Sequence, residues 1–126
     1  MTAESEHQLV LAEEKLADAT AMVRDGYSKA GLKESYLAAL AAVRAILSEV
    51  AGTPPKTHRG ARSEYNRLCH ERPDLRLPPA LFLRQGFDAK QIFDYGESGR
   101  PQIEPAEAIA MATEYLAAAR RIVLGR

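Results

Sequence analysis

The chain has 126 residues, enough for one folded domain and too few for two of ordinary size. Its 17 basic and 17 acidic residues cancel, so the net charge gives no sign of wholesale binding to nucleic acid or membranes. A single cysteine, Cys69, excludes an internal disulfide and fits a reducing compartment. The acidic N-terminus lacks the basic region of a signal peptide, and no apolar run approaches the ~20 residues of a membrane span. We therefore expect a cytoplasmic protein without membrane contacts.

Two long amphipathic segments open the chain. The first is predicted to be a helix from about His7 to Arg24, with apolar residues at steps of three and four, and Asp25-Gly26 ends it. The second is predicted to run from Ser28 to about Ala51 and has the broadest apolar face in the sequence. Its many alanines keep the helix slim, so neighbouring helices can approach it closely. We therefore place it at the centre of a helical bundle.

Prolines and glycines divide the rest of the chain into three further helices. The predicted elements are a third helix capped by Thr57 and ending near Glu71, a fourth from Pro78-Pro79 to Tyr95, a loop from Gly96 to Pro101, and a fifth helix opened by Glu104-Pro105 and continuing to Val123. No alternating strand pattern competes with these helices. The prediction is an all-α, five-helix, up-and-down antiparallel bundle, a single domain over residues 1–126 with its core at about 7–124.

The last turn of the fourth helix concentrates three polar chemistries. Lys90 and Asp94 are four residues apart and share a helix face, and Tyr95 follows them. Two interpretations stay open. In one, the two charges form a surface ion pair worth less than ~0.5 kcal/mol, and Tyr95, like Tyr36, packs in the core or an interface. In the other, Lys90, Asp94 and Tyr95 line a dimer cleft that holds a nucleotide or RNA. Lys90 and Arg84 then contact phosphate groups, and Tyr95 stacks on a base.

A second candidate site is the start of the third helix, where Lys56, His58 and Arg59 surround free backbone N–H groups. That arrangement is typical of an anion or phosphate site. The alternative is that His58 packs against a neighbour and satisfies a loop carbonyl. No cluster of His, Cys, Asp and Glu has zinc-ligand spacing, so we predict neither a metal site nor a cofactor.

Three motifs, taken in order, resemble those of the HEPN family (higher eukaryotes and prokaryotes nucleotide-binding domain). They are the Tyr- and Ala-rich stretch from Ser35 to Ala45, the turn Lys56-Thr57-His58-Arg59-Gly60, and Asp94-Tyr95. The similarity covers about Leu11 to Val123 and is closest to small stand-alone bacterial and archaeal HEPN proteins. The resemblance implies an up-and-down bundle that usually forms a homodimer. It also implies a possible nucleotidyltransferase partner protein in a toxin–antitoxin pair.

Catalytic HEPN proteins cleave RNA without a metal, through an Arg and a His separated by four to six residues. This chain has no histidine between Leu81 and Arg100, and Asp94-Tyr95 stands where the His is expected. Imidazole accepts and donates protons near neutral pH, whereas an exposed Asp stays ionised and only accepts them. The resemblance therefore implies no efficient catalysis here, and we assign no catalytic residue.

The predicted function is a HEPN-like helical module that binds nucleotide, RNA or a nucleotidyltransferase partner. One alternative is a metal-independent ribonuclease toxin, in which the active residues would be Arg84, Lys90, Asp94 and Tyr95. A further alternative is a structural helical adaptor. The predicted ligand-binding residues are Lys56, His58, Arg59, Arg84, Lys90, Asp94 and Tyr95.

Overall fold

The computed structural model describes residues 1–96 and 103–125. This part of the chain contains five α-helices, one short 3-10 helix and no strand, which confirms the predicted all-α five-helix bundle. None of its helices is both long enough and apolar enough to cross a membrane. Apart from Gly96, the predicted loop from Gly96 to Pro101 lies outside the described residues. The helices are α1 (Ala3–Arg24), α2 (Ser28–Ala51), α3 (His58–Glu71), α4 (Leu81–Tyr95) and α5 (Pro105–Leu124), and the 3-10 helix is Pro73–Leu75.

Helix α2 is the central element, and it contacts all four other α-helices. Every residue from Ala38 to Val43 is buried, on all sides of the helix. Because four of these six side chains are alanines, α1 and α5 can pack close to the α2 backbone. The prediction of a central second helix from Ser28 to Ala51 is therefore confirmed in both its bounds and its position.

Helix α1 begins at Ala3, four residues before the predicted start at His7. Thr2 caps it: the Thr2 hydroxyl accepts a hydrogen bond from the Ser5 amide, and the Ser5 hydroxyl accepts one from the Thr2 amide, each at 2.9 Å. Ser5 is fully buried, and its hydroxyl lies 3.0 Å from the Glu49 carboxylate at the other end of α2. These polar contacts extend the helix beyond its apolar stripe, and they fix α1 antiparallel to α2.

Helix α4 begins at Leu81 and not at the predicted Pro78-Pro79. The carbonyl oxygens of the two prolines accept hydrogen bonds from buried phenols, Tyr65 to Pro78 at 2.6 Å and Tyr115 to Pro79 at 2.5 Å. Burial raises the pKa of both phenols, so they remain protonated donors. Since these carbonyls are bonded to side chains, the helix starts after them, with Ala80 as its N-cap.

The middle of α4 lies very close to α2. A Cβ atom on Gly86 would be only 2.9 Å from the Cβ and Cδ1 atoms of Tyr36, so this approach requires glycine. Tyr36 is completely buried, which confirms that it packs in the core. Tyr95, the last residue of α4, does not pack in the core of the chain, because it is 70% exposed. Gly96 ends the helix in the left-handed conformation (φ 62°), as predicted.

Candidate functional site

His58 is the first residue of α3, and its imidazole is held between α2 and α4. Thr57 caps the helix as predicted, accepting a hydrogen bond from the Gly60 amide at 2.9 Å. The Nδ1 atom of His58 lies 3.3 Å from the Tyr36 hydroxyl, and its ring centroid is 6.4 Å from that of Phe87 on α4. The imidazole therefore packs against neighbouring side chains. Its polar partner is a buried phenol, and not the loop carbonyl that the sequence interpretation named.

Arg62 lies one turn further along α3, over the face of the same phenylalanine. Its Cζ atom is 3.8 Å from the ring centroid of Phe87, a close cation–π contact. The Nη1 atom of Arg62 is buried and has no hydrogen-bond partner among the described residues. This guanidinium is thus positioned by an aromatic ring and not by a carboxylate. A side chain that is already ordered loses less conformational entropy when it binds an anion.

Burial and nearby positive charge keep the His58–Tyr36 pair uncharged. The pKa of His58 is lowered, first by burial and then by the positive charges of Arg44, Lys90 and Arg62. The pKa of Tyr36 is raised by burial. At neutral pH the pair is therefore an uncharged imidazole beside a protonated phenol. The surrounding charge on Arg44, Arg62 and Lys90 is entirely positive.

A surface groove of about 660 Å³ lies between α3 and α4, beside His58, and we call it the arginine groove. Its α3 residues recur at steps of three and four, which places them on one helix face. Three arginines and one aspartate give the lining a formal charge of +2. None of the three arginines forms an ion pair with a carboxylate in the described part of the chain. The lining residues are Arg59, Arg62, Ser63, Asn66, Ala80, Leu81, Leu83, Arg84, Phe87 and Asp88.

The last turn of α4 has a different arrangement, which we call the lysine–aspartate cluster: Lys33, Lys90 and Asp94. The Asp94 carboxylate lies 2.5 Å from the Lys90 ammonium and 2.8 Å from the ammonium of Lys33 on α2. Hydrogen bonds from Lys33 and Lys90 hold the pKa of Asp94 below its usual range. Lys33 also lies 5.2 Å from the ring centroid of Phe93. The predicted pair of Lys90 and Asp94 is therefore confirmed, and it includes a third member that ties α4 to α2.

Two other predicted residues lie apart from the groove. Tyr95 has an exposed ring at the end of α4. Lys56 has an exposed side chain before α3, and its backbone carbonyl accepts a hydrogen bond from the Arg44 guanidinium at 3.1 Å. The basic residues around the start of α3 therefore do not form one site. His58 contacts the buried Tyr36 hydroxyl, whereas Arg59 lines the groove.

The arginine groove brings together only part of the predicted ligand-binding set. Arg59 and Arg84 line it, and His58 packs directly behind it against Phe87. The other predicted residues, Lys56, Lys90, Asp94 and Tyr95, are not among its lining residues. Sequence reasoning missed Arg62 and Phe87 as site residues. The spacing of Arg59, Arg62 and Asn66 was the available signal, because it marks one polar face of α3.

The arrangement is suited to binding an anion rather than a metal. Within residues 1–96 and 103–125, no three His, Cys, Asp or Glu side chains converge to hold a metal ion. The guanidinium groups offer paired N–H donors that match phosphate geometry, and Ser63 and Asn66 add neutral hydrogen-bonding groups. The chain matches no family model and no curated protein.

Proposed function

We propose that this protein is a HEPN-like helical module that binds nucleotide or RNA in the arginine groove, without efficient catalysis. The observation that carries the proposal is the grouping of Arg59, Arg62 and Arg84 on two facing helices, with no ion-pair partner in the described part of the chain. A phosphodiester supplies the missing negative charge, and guanidinium groups bind phosphate through two parallel hydrogen bonds.

Other groups in the groove favour a nucleotide over a bare anion. Phe87 is half-buried in the lining, and the guanidinium of Arg62 already lies over its ring. Bases stack on aromatic rings and on guanidinium planes in single-stranded RNA complexes. The Asn66 amide can donate and accept hydrogen bonds at a base edge. A single-stranded segment, with its bases unpaired, therefore fits the groove better than a duplex.

The lysine–aspartate cluster is a weaker phosphate site, because Asp94 already neutralises part of its positive charge. A ligand that bound there would have to compete with the carboxylate for Lys90. We assign Lys90 and the exposed Tyr95 to the edge of the ligand-binding surface. In that role they contact RNA that extends beyond the groove.

A binding titration tests the proposal. We expect a short, fluorescently labelled single-stranded RNA to bind with an affinity that falls as salt rises. Arg59→Ala and Arg84→Ala should each weaken binding about tenfold and reduce the slope of log affinity against log salt by roughly 0.7–1. Arg120→Ala is the matched control, because Arg120 lies 3.3 Å from Glu13 and outside the groove. Equal affinities for all four proteins would refute the proposal.

One observation favours the ribonuclease alternative. The sequence of α4 has no imidazole, but His58 of α3 packs against Phe87 of α4, and its lowered pKa leaves it able to accept a proton at neutral pH. In that reaction His58 would take the proton from a 2′-hydroxyl as its oxygen attacks the adjacent phosphorus. The bond between phosphorus and the 5′-oxygen would break, leaving a 2′,3′-cyclic phosphate, and the 5′-oxygen would take a proton from water. Metal-independent cleavage of RNA in the presence of a chelator, abolished by His58→Gln, would replace the binding proposal with this one.

Protein partners form a second part of the proposal. The resemblance to HEPN proteins implies a homodimer and a nucleotidyltransferase partner. The exposed rings of Phe93 and Tyr95, at the end of α4 and outside the groove, support a protein contact at this end of the helix. Sedimentation at micromolar concentration tests the dimer, which a purely monomeric profile would exclude. A structural adaptor, by contrast, would form protein complexes but would not bind RNA saturably.

A further inference from the structure

We infer that RNA binding in the arginine groove is coupled to protonation of His58, so that the affinity for RNA rises as the pH falls. This inference rests on the proposed function and adds a mode of regulation to the same site. Arg62 connects the groove to His58. Arg62 lines the groove, and its positive charge also acts on the His58 imidazole one turn away on α3.

Cationic groups face His58 from every helix that surrounds it. Helix α2 contributes Arg44 together with the neutral Tyr36 hydroxyl, α3 contributes Arg62, and α4 contributes Lys90. Among these, only Lys90 is paired with a carboxylate in the described part of the chain, and Asp94 shares that carboxylate with Lys33. No carboxylate of the described residues pairs with His58 itself. Adding a proton to His58 therefore places a further positive charge among cations, inside a partly desolvated cluster.

A phosphodiester in the groove changes this balance. Its negative charge next to Arg62 offsets the repulsion that the His58 imidazolium would experience, so protonation becomes easier in the complex. Linkage requires the reverse as well, because a protonated His58 must increase the affinity for the phosphodiester by the same factor. The pKa of His58 is lowered in the free protein and is raised by the ligand. The affinity consequently rises as the pH falls from the higher of these pKa values to the lower one.

The hydrogen bond to Tyr36 allows the proton to be added without breaking the core. The raised pKa of Tyr36 keeps its phenol protonated, and the hydroxyl oxygen can accept a hydrogen bond from Nδ1–H. Both the neutral imidazole and the imidazolium can donate that bond. The bond between His58 and Tyr36 can therefore persist in both states, and the charge at the back of the groove is what changes.

The test is a titration of affinity against pH with a single-stranded RNA that carries no terminal phosphate. Its phosphodiesters keep their charge throughout the range, so the protein alone titrates. From about pH 7.5 to about pH 5.5 we expect the affinity of the wild-type protein to rise three- to tenfold, within the limit of tenfold per pH unit for one linked proton. His58→Gln should lose this rise. His70→Gln is the control, since His70 is exposed at the end of α3 and outside the groove, and it should behave like wild type.

A second measurement does not depend on any variant. The NMR titration midpoint of the wild-type His58 imidazole should move to higher pH when RNA is added. If RNA binds and the His58 midpoint does not move, or His58→Gln keeps the rise in affinity at low pH, the coupling is wrong and the arginine groove stands. If RNA does not bind at any pH, the proposed function is wrong and the coupling falls with it.

Discussion

Helix α4 carries two polar regions that contain similar residues and differ in how their charges are paired. Its first half contributes Arg84 and Asp88 to the arginine groove, and its last turn contributes Lys90 and Asp94 to the lysine–aspartate cluster. In the cluster one carboxylate lies within 2.8 Å of both lysines. In the groove no ion pair joins Asp88 to an arginine of the described chain. The comparison teaches that pairing, more than residue type, decides which cations are available to a ligand.

Burial strengthens the contrast. The side chains of Lys90 and Asp94 are only 16% and 20% exposed, so the pair is held in a fixed geometry against α2. Arg59 and Arg84 are exposed, while Arg62 is ordered by its contact with Phe87. The lysine–aspartate cluster therefore connects α2 to α4, and the arginine groove has cations available to bind an anion.

The largest expected effect compares the two regions directly. The double variant Arg59→Ala, Arg84→Ala should lose about 100-fold in RNA affinity if the two contacts add. The double variant Lys33→Ala, Lys90→Ala removes the same charge from the cluster and should lose less than about threefold. Anisotropy titrations at one salt concentration measure both. A larger loss from the lysine variant would reverse the assignment of the site.

The next prediction concerns the seating of α4, on which both regions depend. Gly86→Ala places a methyl group 2.9 Å from the Tyr36 side chain, and the resulting overpacking outweighs the gain in helix propensity. We expect the free energy of unfolding to fall by about 1–2 kcal/mol, measured by chemical denaturation. The neighbouring Gln85→Ala should change it by less than ~0.5 kcal/mol. An increase in stability for Gly86→Ala would mean that α4 does not lie this close to α2.

A slightly smaller loss of unfolding free energy is expected from a change at the start of α4, beside the groove. Tyr65→Phe removes the buried hydroxyl that donates to the Pro78 carbonyl, and that oxygen keeps only the weak Cys69 thiol donor, whose Sγ atom is 3.8 Å away. The cost should be about 1–1.5 kcal/mol of unfolding free energy. Tyr27→Phe deletes the same atom from a tyrosine that is 67% exposed, and it should be nearly neutral. Equal effects for the two variants would contradict the role of Tyr65 as an anchor for the start of α4.

The smallest expected effect follows from removing the carboxylate of the lysine–aspartate cluster. Asp94→Asn leaves Lys33 and Lys90 without their carboxylate, so the end of α4 becomes a more attractive surface for RNA. We expect RNA affinity to increase about two- to fivefold. Asp18→Asn, which makes the same charge change on an exposed site of α1, should have less effect. A loss of affinity for Asp94→Asn would indicate that the carboxylate itself contacts the ligand.

The sequence predicted most of the fold, because the apolar pattern and the helix-ending residues act locally. Helix α2 was predicted with its observed bounds. The start of α4 was not, because the diproline resembles a first helical turn. What displaces the start is the pair of hydrogen bonds from Tyr65 and Tyr115, which come from other helices. No local pattern reports such contacts.

The site was predicted less well, for the same reason. Arg59 was identified as a basic residue at the start of a helix, and Arg84 as a cation that could contact phosphate groups. The contact of Arg62 with Phe87 joins residues that are far apart in the sequence, and it depends on how α3 packs beside α4. The pairing of Asp94 with Lys33 also depends on how α4 packs against α2. It makes Lys90 a member of an ion cluster at the edge of the proposed ligand-binding surface, and not a residue at its centre.

Chemical-shift mapping by NMR tests the central claim most directly, because it locates the ligand without altering the protein. Single-stranded RNA is titrated into the labelled protein, and the backbone amide shifts are followed residue by residue. The arginine groove predicts the largest changes at residues 59–66 and 84–88, on the facing sides of α3 and α4. Changes centred on residues 90–95, or no saturable change anywhere, would contradict it.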